Sequence, residues 1–323
     1  MRIVSRRTLI ASAAAAGVAL TGGVALAADN YPSKPITMII PLGAGGSHDL
    51  NARVMTSVLP TYLGQPVVVQ LMPGASGRIG TEAAAKAKPD GYTLLFTHNF
   101  IDELQQHVTK LPYDPNKVFV PVARTNTAPP SLVVRADSPY KTLKDLVAAA
   151  KKNPGKLKFG HSGNWGATMV PGAVLMQAAG IKATLVPYKG GGPAMRGLLS
   201  GDVDYNVAFP SVITSQGDKV RTLVTMAQNR AFKDVPTSGE LGYPDVADAA
   251  TMQRVVLAPA GIPQDRLAKL RKAFKEMSQD KTYKKLLAKL GENDDFMDGS
   301  KYEALRKKQD KQYADLVKQL TGK

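Results

Sequence analysis

One device recurs in this chain and limits what it can fold into: an apolar, β-branched run, a glycine-rich turn, and then the start of a helix-like segment. The first copy reads "ITMII PLGAGGSHDLNAR" over residues 36–53. "PGASGRIG" (73–80), "SGNWGAT" (162–168) and "YKGGGPAM" (188–195) each lie between a predicted strand and a predicted helix start. Strands alternating with helices build parallel α/β sheets. In an open sheet of this kind the turns gather at the carboxyl ends of the strands, where ligands bind. Helix starts carry unsatisfied N–H groups and a partial positive charge, and glycine lets the backbone come close to a ligand. The repeated device therefore predicts a receptor for a small anion.

Strands are expected over 36–40, 66–72 and 92–97, with helices over about 48–62 and in "GRIGTEAAAKA". Pro129-Pro130 marks a change of character, after which "SLVVR", "KLKFGHS", "ATLVPY", "DVDYNVAF" and "KVRTLVTMA" read as strands. "SPYKTLKDLVAAAKKN" reads as a helix capped by Ser138 or Thr142, and "ATMVPGAVLMQAAG" as one ended by Gly180. Two amphipathic helices, about 264–290 and 301–320, close the chain. At 323 residues the chain is long for one core and comfortable for two lobes. We expect a first lobe over 28–129, a second inserted over 130–251, and a return to the first over 252–323.

Enzyme readings find little support. The dinucleotide fingerprint G-x-G-x-x-G fails because His48 stands at its third glycine, and no P-loop occurs. "GHSGN" (160–164) resembles a hydrolase elbow, yet a Ser162 nucleophile needs a later histidine and His161 is the last one. Asp49, Asp202 and Asp204 are available carboxylates without an argument for acid–base work. With no cysteine and four scattered histidines, no metal or other cofactor is expected. The net charge of +16 is spread along the chain and thickest near its end, interleaved with acids, which suits a solvated face and anion steering better than nucleic acid.

The first 27 residues read as an export signal. Arg2, Arg6 and Arg7 are followed by an Ala-rich apolar stretch and by Ala25 and Ala27 at an A-x-A cleavage site. "SRRTLI" is a partial twin-arginine pattern. A periplasmic location follows, which argues against DNA and nicotinamide as partners.

"YPSKPITMIIPLGAGGSHDLNAR", "PGASGRIGTEAAAKAKPDGYTLL", "LPYDP", "VPYKGGGPAMRGLLSGDVD" and "PTSGELGYPDV" together resemble the Bug-type solute-binding proteins of tripartite tricarboxylate transporters. The resemblance runs from about Tyr31 to the C-terminus. It implies a two-lobe periplasmic binding protein of type II, closing on a small organic carboxylate or dicarboxylate in the inter-lobe cleft. It also implies delivery to integral membrane permease subunits, with the receptor itself a monomer. A sensor for a signalling partner, or a secreted hydrolase, are the alternatives. Carried onto this chain, the family's contacts fall on Gly45, Gly46, Ser47 and Asp49. Thr97, His98 and Asn99 follow in the next loop. Ser162, Asn164, Thr168, Lys189, Gly190 and Asp204 come from the second lobe. Trp165, Tyr188 and Phe209 are candidates to flank an aromatic carboxylate. Leu42, Leu71-Met72 and Pro171 depart from the usual pattern, which bears on the ligand class and not on the fold.

Overall fold

Eleven strands fall into two sheets in the computed structural model, which describes residues 30–322. The expected signal peptide, 1–27, lies outside the described residues. The body of the chain begins at Pro32. Within the body, β1 (Ile36–Ile40), β2 (Val67–Leu71), β3 (Thr93–His98) and β4 (Phe119–Ala128) come first. There follow β5 (Ser131–Arg135), β6 (Lys158–His161), β7 (Thr184–Pro187), β8 (Tyr205–Ala208) and β9 (Val220–Thr225). Last come β10 (Met252–Pro259) and the short β11 (Met297–Asp298).

The two sheets repeat one plan. The first runs β11-β4-β10-β3-β1-β2 and the second β7-β6-β8-β5-β9. In each, three strands lie parallel (β2, β1, β3 and β7, β6, β8), and the next strand runs antiparallel to them (β10 and β5). Those antiparallel strands are the ones reached directly from the other sheet. The chain passes from β4 to β5 through Pro129-Pro130 and comes back through Thr251 into β10. Parallel interior strands are covered on both faces, so they are apolar almost throughout; Ile36, Met38, Ile39 and Ile40 of β1 are all buried.

Each sheet has its own core. Ile39, Leu95, Val255 and Leu257 pack with Tyr302 in the first, and Leu132, Leu146, Phe159, Leu175, Tyr205 and Val224 in the second. Burying a side chain such as Phe159 contributes roughly 1.5–3 kcal/mol. Its ring stacks on Tyr205 at 5.1 Å and lies beneath Gly172, where an added Cβ would come within 2.3 Å of the ring. Gly172 is thus a packing requirement of the helix Met169–Ala179, and alanine there would overpack the core.

Local chemistry sets the element ends. The helix Leu143–Lys152 starts at Thr142, not Ser138, through a capping box in which Thr142 Oγ1 accepts from the Asp145 N–H and Asp145 accepts from the Thr142 N–H. The expected helix 264–290 is two helices, Gln264–Gln279 and Lys281–Lys289. Asp280 adopts extended backbone between them and caps the second by accepting from the Tyr283 N–H. β4 was not expected as a strand, because "ARTNT" is polar. Its polar residues are buried with partners instead: Arg124 pairs with Asp295 at 2.8 Å, and Asn126 accepts from Arg254 at 3.2 Å.

The last helix, Gly299–Thr321, does not belong to the first core alone. Tyr302 packs into that core, and Arg306 pairs with buried Asp102 at 2.6 Å. Farther along, Leu316 and Leu320 pack against the core of the second sheet. One helix therefore runs across both lobes.

Candidate functional site

The carboxyl ends of β1, β3, β6 and β8 face one another across the lobes around a cavity of about 20 Å³. Leu42, Gly46, Ser47, His48 and His98 contribute from the first lobe, with Met252 from β10. Ser162, Ala167, Thr168, Gly191, Val207, Ala208, Phe209 and Val212 contribute from the second. In this arrangement the cavity has room for about one water molecule.

Four helices begin at this wall: Ser47–Val58, Met169–Ala179, Gly191–Ser200 and Pro210–Gln216. Among the described residues, none of the four has an N-cap side chain hydrogen-bonded to its first turn. Away from the cavity the picture is mixed: Thr142, Asp280 and Asp298 each cap a helix, while Arg78–Ala85 and Gln264–Gln279 start without a side-chain cap. N–H groups at a helix start that no side chain caps are able to receive an anion. One of the four is already served from within. Glu292 Oε1 accepts from the Ser211 N–H of the Pro210 helix at 3.2 Å.

The lobes meet through backbone. Gly43 N–H donates to the Lys189 carbonyl at 2.9 Å, so the first and last glycine turns of the sequence touch directly. Gly192 packs so closely that an added Cβ would sit 2.1 Å from the Ala44 carbonyl oxygen. Gly190, at φ 124°, occupies a backbone region open to glycine, and a Cβ there would lie 2.6 Å from Gly43 N. On the other flank Gly163 abuts Ser76, with 3.3 Å from its would-be Cβ to the Ser76 Cα. The arrangement is a closed clamp.

Polar groups at the cavity are pre-arranged. Thr168 Oγ1 accepts from the Ser162 N–H at 2.7 Å and donates to Ser162 Oγ at 2.9 Å, which leaves the Ser162 O–H to donate elsewhere. His48 Nε2 donates to the Thr97 carbonyl at 3.0 Å, and its ring lies 5.2 Å from that of His98. Burial lowers the pKa of both imidazoles: His98 falls to about 3, with Arg254 adding to the effect, and His48 well below its usual value. Both are neutral at pH 7. Among the described residues His98 Nδ1 is buried without a hydrogen-bond partner. Behind this wall Arg254 and Glu292, both fully buried, pair in two hydrogen bonds of 2.8 and 2.9 Å.

Of the residues expected at the site, Gly46, Ser47, His98, Ser162, Thr168 and Phe209 line this cavity. Tyr188 and Lys189 line a neighbouring cavity with Ser76 and Gly163, while Asn164 and Trp165 line another with Arg78 and Gln105. Trp165, Tyr188 and Phe209 thus do not flank one common space. Trp165 sits at φ 57°, rare for a residue with a side chain, and packs against the cluster of Phe100 and Leu104 from the first lobe. Gly45 is at the exposed rim, and its N–H is held by Asp49 Oδ2 at 2.9 Å, so Asp49 shapes the turn.

Three of the expected residues lie away from this cavity. Asp204 precedes β8, at the end of the strand remote from Phe209, and accepts from the Lys158 N–H at 2.7 Å to start β6. Thr97 gives its carbonyl to His48 and does not line the cavity. Asn99 is buried behind it, donating to the Thr251 carbonyl and Tyr313 Oη and accepting from the Gln253 N–H.

Around Phe209, the liners Val207, Ala208 and Val212 were missed, as was Met252. Phe209-Pro210 continues a strand directly into a helix with Pro at its first position, the same device without glycine. That signal was available in the sequence. Met252 arrives only by the return crossing and has no local signature.

A model of the tripartite tricarboxylate transporter family receptor, TctC, matches residues 51–321. The chain is 35% identical over 280 residues to protein BugT of Bordetella pertussis, covering 84% of this chain and 85% of that one. A structure of the periplasmic binding protein BugD superposes with a TM-score of 0.84 at 30% identity, covering 90% of this chain and 98% of that one. MatC of Rhodopseudomonas palustris, solved with bound malate, gives 0.82 at 27% identity, covering 89% and 100%. The two-lobe fold is that of periplasmic binding proteins, and the chain belongs to the TctC family of tripartite tricarboxylate transporter receptors.

Proposed function

We propose that the mature chain is a periplasmic receptor that captures a small organic carboxylate by closing its two lobes and hands it to membrane permease subunits. The observation that carries this reading is the meeting of uncapped helix starts with the Ser162–Thr168 hydroxyl pair around one inter-lobe cavity. Each charge-assisted hydrogen bond to a carboxylate is worth about 1.5–3 kcal/mol, so a few of them, less ordering costs, give roughly micromolar affinity. In this reading Gly46, Ser47, His98, Ser162, Thr168 and Gly191 hold the ligand end, and Phe209 packs on its body. The lobes divide at about residues 129–130 and 251–252, the strands there acting as the hinge. The export signal delivers the chain to the periplasm, and the malate-bound relative supports a carboxylate as cargo.

The test is a thermal-shift panel of carboxylates on purified mature protein, read together with Trp165 fluorescence. Trp165 is the only tryptophan and packs between lobes, so closure should change its emission. A ligand at 100 times its dissociation constant adds about 2.7 kcal/mol, a clear rise in melting temperature. Slow consumption of a carboxylate by the pure protein would instead favour an enzyme.

A further inference from the structure

We infer that the lysine face of the helix Lys281–Lys289 docks this protein on an anionic phospholipid surface. The setting rests on the periplasmic receptor reading above, to which the inference adds a partner: the membrane that holds the permease subunits.

Charge is concentrated at one place in the chain. Residues 264–289 carry nine lysines and arginines against three acids, within a formal net charge of +16 for the whole sequence. Two of those acids are engaged. Asp280 accepts from the Tyr283 N–H and from Tyr62 Oη, and Glu276 pairs with Lys272 at 3.8 Å. The helix Lys281–Lys289 itself has four lysines and no acid. Lys284 pairs with Asp294 at 3.0 Å. Lys281, Lys285 and Lys289 stand one turn apart, are exposed, and make no ion pair among the described residues. The opposite face is anchored: Tyr283 and Leu287 are buried, and the helix packs on Ser47–Val58. That anchoring fixes the three lysines outward as a ridge.

The chemistry of the ridge selects the partner. Like charges at this spacing repel one another and weaken a helix, and a negative surface removes that repulsion. Lysine is a compact, hydrated charge without the planar fork of arginine, so it suits a diffuse negative field better than one carboxylate or phosphate. A leaflet of anionic lipid presents such a field. The large apolar side chains exposed among the described residues, Val68, Ile79, Leu185 and Leu241, all lie off this helix. The contact is therefore electrostatic and peripheral, without insertion, and salt weakens it. Each lysine near an anionic membrane contributes about fivefold in affinity.

Co-sedimentation of the mature protein with vesicles tests this, comparing phosphatidylethanolamine mixed with phosphatidylglycerol against phosphatidylcholine alone. The wild type should bind the phosphatidylglycerol vesicles at about 0.1 M salt and leave them at about 1 M, as the screening length falls from about 10 to about 3 Å. It should not bind phosphatidylcholine. The triple variant Lys281→Gln, Lys285→Gln, Lys289→Gln should bind at least tenfold more weakly, with an unchanged melting temperature, because glutamine is a good helix former. A control, Lys301→Gln, Lys308→Gln, Lys311→Gln, removes the same charge from the last helix and should stay within about threefold of the wild type. No binding by the wild type at about 0.1 M salt, or equal binding by the two triple variants, overturns the inference. A protein that takes a carboxylate in the thermal-shift panel but no anionic vesicle keeps the receptor reading and loses the ridge. One that binds vesicles through the ridge but no carboxylate loses the receptor reading instead.

Discussion

The backbone N–H of Gly43 donates to the carbonyl of Lys189 across the two lobes at 2.9 Å. Two glycine turns some 150 residues apart in sequence thereby close on each other without side chains in between. The packing around Gly192 sets how near they come, with the Ala44 carbonyl 2.1 Å from where a Cβ would stand. Gly192→Val should hold the clamp open. Ligand affinity should fall at least tenfold, about 1.4 kcal/mol, and small-angle scattering should show a larger radius of gyration with saturating ligand than for the wild type. Equal affinities and radii would mean that this contact does not define the closed state.

Thr168→Val should weaken binding through Ser162. The hydroxyl of Thr168 satisfies the Ser162 N–H and directs Ser162 Oγ. Removing it orphans a buried donor, at a cost of about 1–3 kcal/mol. Titration calorimetry should find a fall in affinity, and the melting temperature should drop by a few degrees. Thr168→Ser should restore both, because it returns the hydroxyl. Failure of that rescue would assign the effect to packing alone.

Arg254 and Glu292 form a fully buried pair, so removing one partner strands the other charge. Glu292→Leu should destabilise the protein by about 3–5 kcal/mol in urea unfolding. Because Glu292 also accepts from Asn51 and from the Ser211 N–H, the loss should reach contacts on both sides of the cleft. A loss below about 1 kcal/mol would show that the pair is dispensable to the fold.

Two buried groups set opposite pH slopes. The pKa of His98 is lowered from 6.5 to about 3 by burial and then by Arg254. Its unfolded form therefore binds more protons between those values, and stability is lost as pH falls below 6.5. Glu103 is raised from 4.5 to about 8 by burial and by the adjacent Asp102. Here the folded form binds more protons, so stability is fully present below pH 4.5 and is lost as pH rises through 8. Unfolding free energies measured from pH 4 to 9 should fall toward both ends. Glu103→Gln should flatten the alkaline side, because its amide does not ionise; an unchanged alkaline slope would remove Glu103 as the cause.

Much of this architecture is legible in local sequence. Glycine turns after strand-like runs mark β1, β6 and β7 and the helices that follow, because turn chemistry and strand periodicity are properties of neighbouring residues. They also mark one jaw of the cavity in each lobe. Asp204 shows the limit of carrying a motif over: "GDVD" stands before its strand, so it belongs to the amino end and away from the turns.

The sequence by itself determined most element types, though not β4 or the break at Asp280, and placed glycine turns between strand and helix, since each follows from spacing and residue chemistry over a few positions. Tertiary structure alone decided which turns meet and what faces them. Met252 reaches the cavity on a returning antiparallel strand, Glu292 fills one helix start from the far end of the chain, and the polar residues of β4 are buried only because Asp295 and Arg254 arrive to pair with them. Such contacts join residues remote along the chain, and no local pattern records the partner that makes each burial tolerable.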